Sequence, residues 1–279
     1  MRTVTHPSQS AAITALTMGI CLGFLAFESV RVGPTKTNVV GLILAILFAL
    51  LVWRSRSATR PAAIAGAIIA ATLYLGTVHQ PAGRWWHTAL PPLITLLVLT
   101  LFATRFRRNT KEHLGVAEAK SGRQASQVCA NLGVAALASA LGVGLLPHTL
   151  MLLALTAALV EATADTVSSE VGQAVSGKTL LLTSFQQVPV GTDGGISVVG
   201  TAAGCMGAAL VAALSGIGLG LTVRQAFLCW LAGIAGLFFD SWLGATLERK
   251  GVLGNDAVNF LSTLFSASLV AIFGAMCLS

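Results

Sequence analysis

The chain has 279 residues, of which 55% are hydrophobic and only 10% are charged, and its mean hydropathy is +0.82. An average soluble domain carries about 25% charged residues, so the composition excludes a disordered chain, a coiled coil and an ordinary cytosolic enzyme. The apolar runs are continuous, whereas the strands of a membrane β-barrel alternate apolar and polar residues. The sequence therefore predicts an all-α, polytopic integral membrane bundle that forms a single domain over residues 1–279.

The net charge is +7, and the basic residues stand between the apolar runs, where they anchor and orient a membrane protein. We therefore expect membrane lipids as partners, and no nucleic acid; the oligomeric state is left open. The five cysteines lie inside apolar runs and are interpreted as small hydrophobic side chains. They are Cys21, Cys129, Cys205, Cys229 and Cys277.

The apolar runs define the predicted membrane spans. A helix needs about 20 mostly apolar residues to cross the hydrocarbon core of a bilayer, and nine segments approach this length. In chain order they are 11–28, 38–53, 61–78, 88–104, 125–145, 148–167, 194–218, 225–247 and 257–277. The fifth and sixth are separated by a turn at Leu146 and Pro147, which predicts a tight antiparallel hairpin.

The Lys and Arg residues predict the orientation of these spans. If the N-terminus is cytoplasmic, 13 of the 17 fall in cytoplasmic segments and 4 in outer segments, as the positive-inside rule requires. This split favours an odd number of spans in the cell inner (plasma) membrane. Spans one to four (1–104) precede the most basic segment (105–124), which is interpreted as an anchor on anionic headgroups. Alternatively, its flanking Arg123 binds a phosphate.

Polar residues at membrane depth are costly and usually functional, and they concentrate in 125–279. Those within or beside the spans are Gln127, Asn131, Glu161, Asp165, Ser169, Glu170, Asp240, Ser241, Asn255, Asp256 and Asn259. In the predicted orientation nearly all lie at cytoplasmic span ends, with Glu161 one turn deeper than Asp165. We therefore predict a single site facing the cytoplasm. The alternative for the amides and hydroxyls is hydrogen bonding between neighbouring helices.

Two glycine motifs are candidate structural or phosphate-binding elements. The first is the loop formed by Gly191, Thr192, Asp193, Gly194 and Gly195. Its glycines permit positive φ and close backbone approach, so the loop and the start of span seven predict a phosphate cradle; the alternative is a flexible turn. The second is the pair Gly200 and Gly204, which predicts a close helix contact.

Residues 172–179 match the phosphate-loop pattern GxxxxGK[ST]. A true phosphate loop follows a strand and opens a helix. Here a membrane span precedes the motif, and a β-like stretch follows it as far as Pro189. We interpret the match as accidental, and we keep Lys178 as a candidate phosphate-binding cation.

As a set, the motifs between residues 120 and 262 resemble the transmembrane protein 19 family (domain of unknown function 92), which includes plant phytyl-phosphate kinases. The matching segments are 122–123, 127–131, 162–172, 188–197, 236–244 and 255–259. Family members usually have Asn at the position of Asp193. The resemblance implies a polyisoprenyl monophosphate kinase that converts phytyl, geranylgeranyl or farnesyl phosphate to the diphosphate with CTP and Mg²⁺.

This resemblance allows roles to be assigned to the candidate residues. Asp165, Glu170 and Asp240 are the expected Mg²⁺ ligands and catalytic carboxylates. Arg123, Lys178 and the 191–195 loop are expected to bind phosphate. Asn131, Asn255 and Asn259 are expected to orient groups or contact the nucleotide. Two rival functions remain: a cation or anion transporter, which needs its site near the midplane, and a CTP-dependent lipid-phosphate cytidylyltransferase.

Overall fold

The computed structural model describes residues 6–33, 35–78, 84–175 and 177–278. The helices in these residues are α1 Pro7–Val32, α2 Lys36–Arg54, α3 Arg60–Thr77, α4 Leu90–Arg105, α5 Arg108–Leu114, α6 Ala125–Leu145, α7 His148–Val175, α8 Val198–Leu219, α9 Val223–Leu243 and α10 Asn255–Leu278, with a π-helical turn at Gly244–Glu248. The helical bundle predicted from composition is confirmed. Arg2, which enters the charge count, and the side chain of Cys277 lie outside the described part.

A small sheet interrupts the helices between α7 and α8. It consists of β1 Thr179–Leu181, β2 Gln187–Val188 and β3 Gly195–Ile196, antiparallel in the order β2-β1-β3. The stretch interpreted as β-like thus does form strands. Because β3 takes Gly195, α8 begins at Val198, four residues later than the predicted seventh span.

The described residues contain eight helices that are long and apolar enough to cross a membrane, or nine if α4 and α5, which are bent by 60°, count as one span. The 16 residues of α4 are about 24 Å long. Its start lies at the end of α3, where the Ala89 N–H donates to the Thr77 hydroxyl oxygen at 3.0 Å. Its last residue, Arg105, donates to the Ser55 carbonyl oxygen between α2 and α3 at 3.0 Å. Within the described residues, α4 therefore runs between the same two ends of the bundle as α3, which favours nine crossings over eight.

Helix α7 is the centre of the bundle, because α4, α6, α8, α9 and α10 all pack against it. Some 89% of its most apolar stretch is buried. The contact with α8 is close enough to require glycine. A methyl group at Gly204 would lie 2.5 Å from the Ala164 carbonyl oxygen, and a methyl group at Gly200 would collide with the Ser168 carbonyl oxygen. The predicted close contact at Gly200 and Gly204 is confirmed.

The helix ends that carry the polar residues meet at one end of the bundle, which we call the site face. There α2, α4, α7 and α9 end, and α1, α3, α6, α8 and α10 begin. Helix α1 is tied to the start of α10 at this face: the Ser10 hydroxyl donates to Asp256 Oδ2 at 2.6 Å, and the Gly254 N–H donates to Gln9 Oε1 at 2.9 Å. The first helix therefore begins on the opposite side from the end of the last, as an odd number of spans requires.

Candidate functional site

Three acidic residues meet between α7, α9 and α10, and we call them the carboxylate cluster: Glu161, Asp165 and Asp240. Glycine at position 236 makes the approach possible, because a methyl group there would lie 2.5 Å from Glu161 Cγ. Asp165 and Asp240 are near enough for their charges to interact. The Ser262 hydroxyl donates to Asp240 Oδ2 at 3.1 Å. Sequence spacing correctly grouped Glu161 with Asp165 on one face of α7.

Glu161 is the deepest member of the cluster. It is 1% exposed, and within the described residues its Oε1 atom has no hydrogen-bond partner. Burying a carboxyl group without a full set of partners is costly. Glu161 thus lies one helical turn deeper in the bundle than Asp165, and its side chain points toward α9 and α10 rather than toward solvent.

Arg123 is the cation beside the cluster, because its guanidinium interacts electrostatically with Asp165. Its backbone is bonded to the α2–α3 connection: the Arg123 N–H donates to the Ser57 carbonyl oxygen, and the Thr59 N–H donates to the Arg123 carbonyl oxygen, both at 3.0 Å. Gly122, with φ +79°, allows this approach, since a methyl group there would lie 2.5 Å from the Ser57 carbonyl carbon. The N-terminal half of the chain therefore holds Arg123 in place.

Glu170 does not join the carboxylate cluster, which corrects the predicted grouping with Asp165 and Asp240. Five residues along α7 rotate a side chain by about 140° around the helix axis. Glu170 instead accepts a hydrogen bond from the Thr104 hydroxyl at 3.0 Å and forms an ion pair with Lys111. The buried Lys111 ammonium also donates to two carbonyl oxygens at the end of α4, at 3.0 and 2.8 Å. This ion pair joins α5 to α7.

The structure does not assemble the three-carboxylate Mg²⁺ site expected from the sequence, because Glu170 lies apart from Asp165 and Asp240. Among the described residues, no group of three or more His, Cys, Asp or Glu side chains is arranged to hold a metal ion. Mg²⁺ in proteins is usually bound through one or two carboxylates together with waters and substrate phosphates. Asp165 and Asp240 fit that requirement, and Glu170 is already occupied by Lys111.

The 191–195 loop is a packed turn. Gly191 and Gly194 have φ of +80° and +74°, the conformations for which the glycines were singled out. The Gly195 N–H donates to the Thr192 carbonyl oxygen at 2.9 Å, so this group is used inside the turn. A methyl group at Gly194 would lie 2.5 Å from the Ser241 carbonyl oxygen. The loop is fixed against the π-helical turn after α9 and is less open to phosphate than a free cradle.

This loop presents Asp193 next to two charged residues of the π-helical turn and its flank, Glu248 and Arg249. Burial raises the pKa of the Asp193 carboxyl group, and the Arg249 guanidinium opposes the rise. Glu248 is buried and also lies near Asp165. It was absent from the predicted site, although its spacing of eight residues from Asp240 is one that repeats on a helix face.

The helix and the strand beside Lys178 follow each other in the reverse order to those of a phosphate loop. The 172–179 motif begins in the last turn of α7 and ends at the first residue of strand β1, whereas a phosphate loop needs the strand first and the helix second. Residues 172–179 therefore match the pattern in sequence but do not form a phosphate loop. Lys178 itself is exposed, directly before β1, and β1 pairs with the strand that contains Gly195.

Several candidates at the site face have structural partners. Gln127 forms a capping box at the start of α6, accepting from the Gln124 N–H at 2.7 Å. Asn131 donates to the Gln127 carbonyl oxygen at 2.8 Å, and the Ser169 hydroxyl donates to the Thr166 carbonyl oxygen at 3.2 Å. These bonds are all local to α6 or α7, so they are not the hydrogen bonds between neighbouring helices that were considered as the alternative. Asp256, in contrast, bonds across to α1.

The remaining candidates differ in exposure. Ser241 is buried under the 191–195 loop. Asn255 is exposed at the first turn of α10, and Asn259 is half-buried one turn later. The two asparagines are therefore available at the site face on the side of α10.

A cavity of about 370 Å³ lies on the other side of Arg123, among α2, α3, α4, α6 and α7. By position along the helices, its lining residues farthest from the site face are apolar: Phe48, Gly66, Leu96, Leu132 and Ala162. Asn131 lines the cavity next to Leu132. At the site face it is lined by five basic residues, which we call the basic mouth, together with Glu118. They are Arg56, Arg105, Arg108, Lys120 and Arg123. Arg123 thus borders both the cavity and the carboxylate cluster.

The fold and site define a multi-pass integral membrane protein with charged groups gathered at one end of its helical bundle. The chain belongs to the integral membrane protein family DUF92, whose model matches residues 43–267. The residues resembling the transmembrane protein 19 family therefore identified the family correctly.

Three relatives illustrate the similarity. The chain is 32% identical over 218 residues to protein VTE6, chloroplastic, of Arabidopsis thaliana, and the aligned residues cover 73% of this chain and 63% of the relative. It is 35% identical over 157 residues to an uncharacterised membrane protein of Methanocaldococcus jannaschii, covering 53% and 63%. It is 34% identical over 184 residues to one of Synechocystis, covering 62% and 71%. No solved structure matches the chain.

Proposed function

We propose that this protein is a membrane kinase that transfers the terminal phosphoryl group of CTP to a polyisoprenyl monophosphate. The observation that carries the proposal is the position of Arg123, which borders an apolar cavity with a basic mouth and also faces Asp165. An amphiphilic phosphate in the cavity would present its head to Arg123 beside the carboxylate cluster. The family resemblance to phytyl-phosphate kinases and the similarity to protein VTE6 support the same reaction.

The acceptor places few demands on the protein. The second pKa of a phosphate monoester is near 6, so at neutral pH the acceptor is largely a dianion and is nucleophilic without a general base. Catalysis then depends on alignment and on neutralisation of charge during in-line transfer. Arg123 would bind and orient the acceptor head, and the apolar cavity walls would hold the chain and exclude water.

Asp165 and Asp240 would hold a Mg²⁺ ion. Carboxylate oxygens are the donors that this ion prefers, and the Ser262 hydroxyl, which donates to one oxygen of Asp240, fixes the orientation of that carboxylate. When bound, the ion supplies charge neutralisation on the transferred phosphoryl group. Asn255 and Asn259 would contact the nucleotide from α10. We place the site at the cytoplasmic face of the cell inner membrane, following the charge split of 13 to 4.

The position of the site favours a kinase over a transporter. A secondary transporter binds its substrate near the midplane of the bilayer. Here the basic mouth lies at helix ends, and Asp165 lies only five residues, about 8 Å along the axis, from Glu170, which bonds to Thr104 at the end of α4. Asp240 is three residues from the end of α9 at Leu243.

Product analysis tests the proposal. Purified protein in detergent would be incubated with CTP, Mg²⁺ and farnesyl, geranylgeranyl or phytyl phosphate. The proposal predicts prenyl diphosphate and CDP in equal amounts. Formation of a CDP-linked lipid with release of pyrophosphate would identify a cytidylyltransferase, and the absence of CTP-dependent products would reject both enzymes.

A further inference from the structure

The two ends of the cavity differ in chemistry. The deep end is apolar, whereas the basic mouth carries five cationic side chains against one acidic residue, Glu118. Two of the five are partly engaged: Arg105 donates to the Ser55 carbonyl oxygen, and Arg108 is paired with Glu112 at 2.9 Å. Sites of this kind combine apolar walls with a few placed polar groups that fix the orientation of the ligand. The cavity therefore matches a ligand with one anionic head and one hydrophobic chain.

We propose that this cavity holds both head and chain of a single-chain lipid phosphate, and that Phe48 and Gly66 in its deep wall set the longest chain accepted. The identification of the lipid as the phosphoryl acceptor rests on the proposed function. The chain-length limit rests on the cavity alone and can be tested by binding.

The depth of the cavity follows from its lining helices. Phe48 on α2 lies seven residues before Ser55, which directly follows that helix, and Leu96 lies nine residues before Arg105 on α4; all four line the cavity. At 1.5 Å per residue these separations are about 10 Å and about 14 Å. The deep wall is thus less than halfway through a hydrocarbon core of about 30 Å. A chain longer than this depth must bend or leave the cavity.

The contact between Phe48 and Gly66 forms part of the deep wall. A methyl group at Gly66 would lie 3.4 Å from Phe48 Cε1, at ordinary contact distance. A leucine at this position must therefore extend into the cavity or displace the Phe48 ring. Ile64, on the same helix, is 62% exposed and does not line the cavity, so added bulk there provides a matched control.

The experiment measures binding of geranyl, farnesyl and geranylgeranyl phosphate to purified protein in detergent. Gly66→Leu should weaken binding of geranylgeranyl phosphate at least tenfold and change that of geranyl phosphate by less than threefold. Phe48→Ala, which enlarges the deep end, should improve binding of geranylgeranyl phosphate relative to geranyl phosphate at least threefold. Ile64→Phe should leave all three affinities unchanged.

Further ligands test the head and the number of chains. Inorganic phosphate and farnesol should each bind at least tenfold more weakly than farnesyl phosphate. Equal binding of dioleoyl phosphatidic acid would overturn the single-chain assignment. An unchanged chain-length profile in both Gly66→Leu and Phe48→Ala would overturn the length limit, even if the protein phosphorylates prenyl phosphates. Shifted profiles without any CTP turnover would support the cavity assignment and reject the kinase.

Discussion

Asp165 and Glu170 show how position on one helix separates two roles. Both are acids near the end of α7, and both belong to the segment that resembles the family. Asp165 faces Asp240 and Arg123, whereas Glu170 faces Lys111 and Thr104. Helical spacing could have separated them, because 165 and 170 do not share a face. The partner of Glu170 could not be foreseen, since Lys111 lies in a basic segment that reads as solvent-exposed.

We predict that the carboxylate pair is needed for turnover but not for folding. Asp165→Asn and Asp240→Asn retain size and hydrogen-bonding capacity but remove the charge that would hold Mg²⁺. Each should lower turnover roughly a hundredfold or more, and chelation of Mg²⁺ should have a similar effect on the wild type. The melting temperature in detergent should stay within a few degrees.

Glu28→Gln is the control for that prediction. Glu28 pairs with Arg31 near the end of α1 that is remote from the site face, so this variant should have the turnover of the wild type. Unfolding of both site variants, or full activity of both at saturating Mg²⁺, would show that the metal assignment is wrong.

We predict that Lys111 and Glu170 form a structural unit. Lys111→Met leaves a buried carboxylate without its partner, which costs about 3–5 kcal/mol, so the melting temperature should fall strongly. Replacing both residues with Met should restore much of the loss, because a well-packed apolar pair can substitute for a buried ion pair. Thermal unfolding of the single and double variants, measured together with turnover, tests this. A stable double variant that lacks all activity would return Glu170 to the catalytic site.

At the level of elements, the small sheet and the π-helical turn hold the 191–195 loop against the end of α9. The sequence predicted the glycine conformations and the β-like stretch after α7. It could not predict how the loop packs, because the atoms in contact with Gly194 belong to residues about fifty positions later in the chain. The loop therefore contributes rigidity and places Asp193 at the site face, beside Arg249.

We predict that Gly194→Ala impairs both stability and turnover. Alanine at φ +74° costs roughly 1–2 kcal/mol, and its methyl group would also press on the Ser241 carbonyl oxygen. Gly251→Ala is a matched control: its φ is +70°, and nothing lies within 4 Å of the added methyl group. Both variants should melt at lower temperature, but only Gly194→Ala should also lose turnover. Equal turnover in the two variants would show that the loop packing does not serve the site.

At the level of the whole molecule, the hydropathy pattern and the charge count predicted nine crossings with polar groups at one end. The cavity was not predicted, because its walls come from segments far apart in sequence, around Phe48, Gly66, Leu96, Leu132 and Ala162. Apolar residues that line a cavity and apolar residues that fill a core look alike in a sequence. Arg123 gave a partial signal, since it was singled out as a phosphate-binding residue from its position beside the basic segment.

The orientation of the bundle is a further prediction. Lys120, at the basic mouth, should face the cytoplasm, and Lys36, at the start of α2, should face the opposite side. Single cysteines introduced at these positions in a variant without native cysteines should react with a membrane-impermeant reagent from opposite sides. Labelling of both from one side would contradict nine alternating crossings, and reversed labelling would contradict the charge-based orientation.

The measurement that tests the central claim most directly follows each phosphate of CTP. Purified protein would receive geranylgeranyl phosphate, Mg²⁺ and CTP labelled at either the γ or the α position, with Asp165→Asn in parallel. We predict that the γ label enters the lipid diphosphate, that the α label remains in CDP, and that the variant transfers neither. Recovery of the α label in the lipid, or equal γ transfer by wild type and Asp165→Asn, would contradict the account.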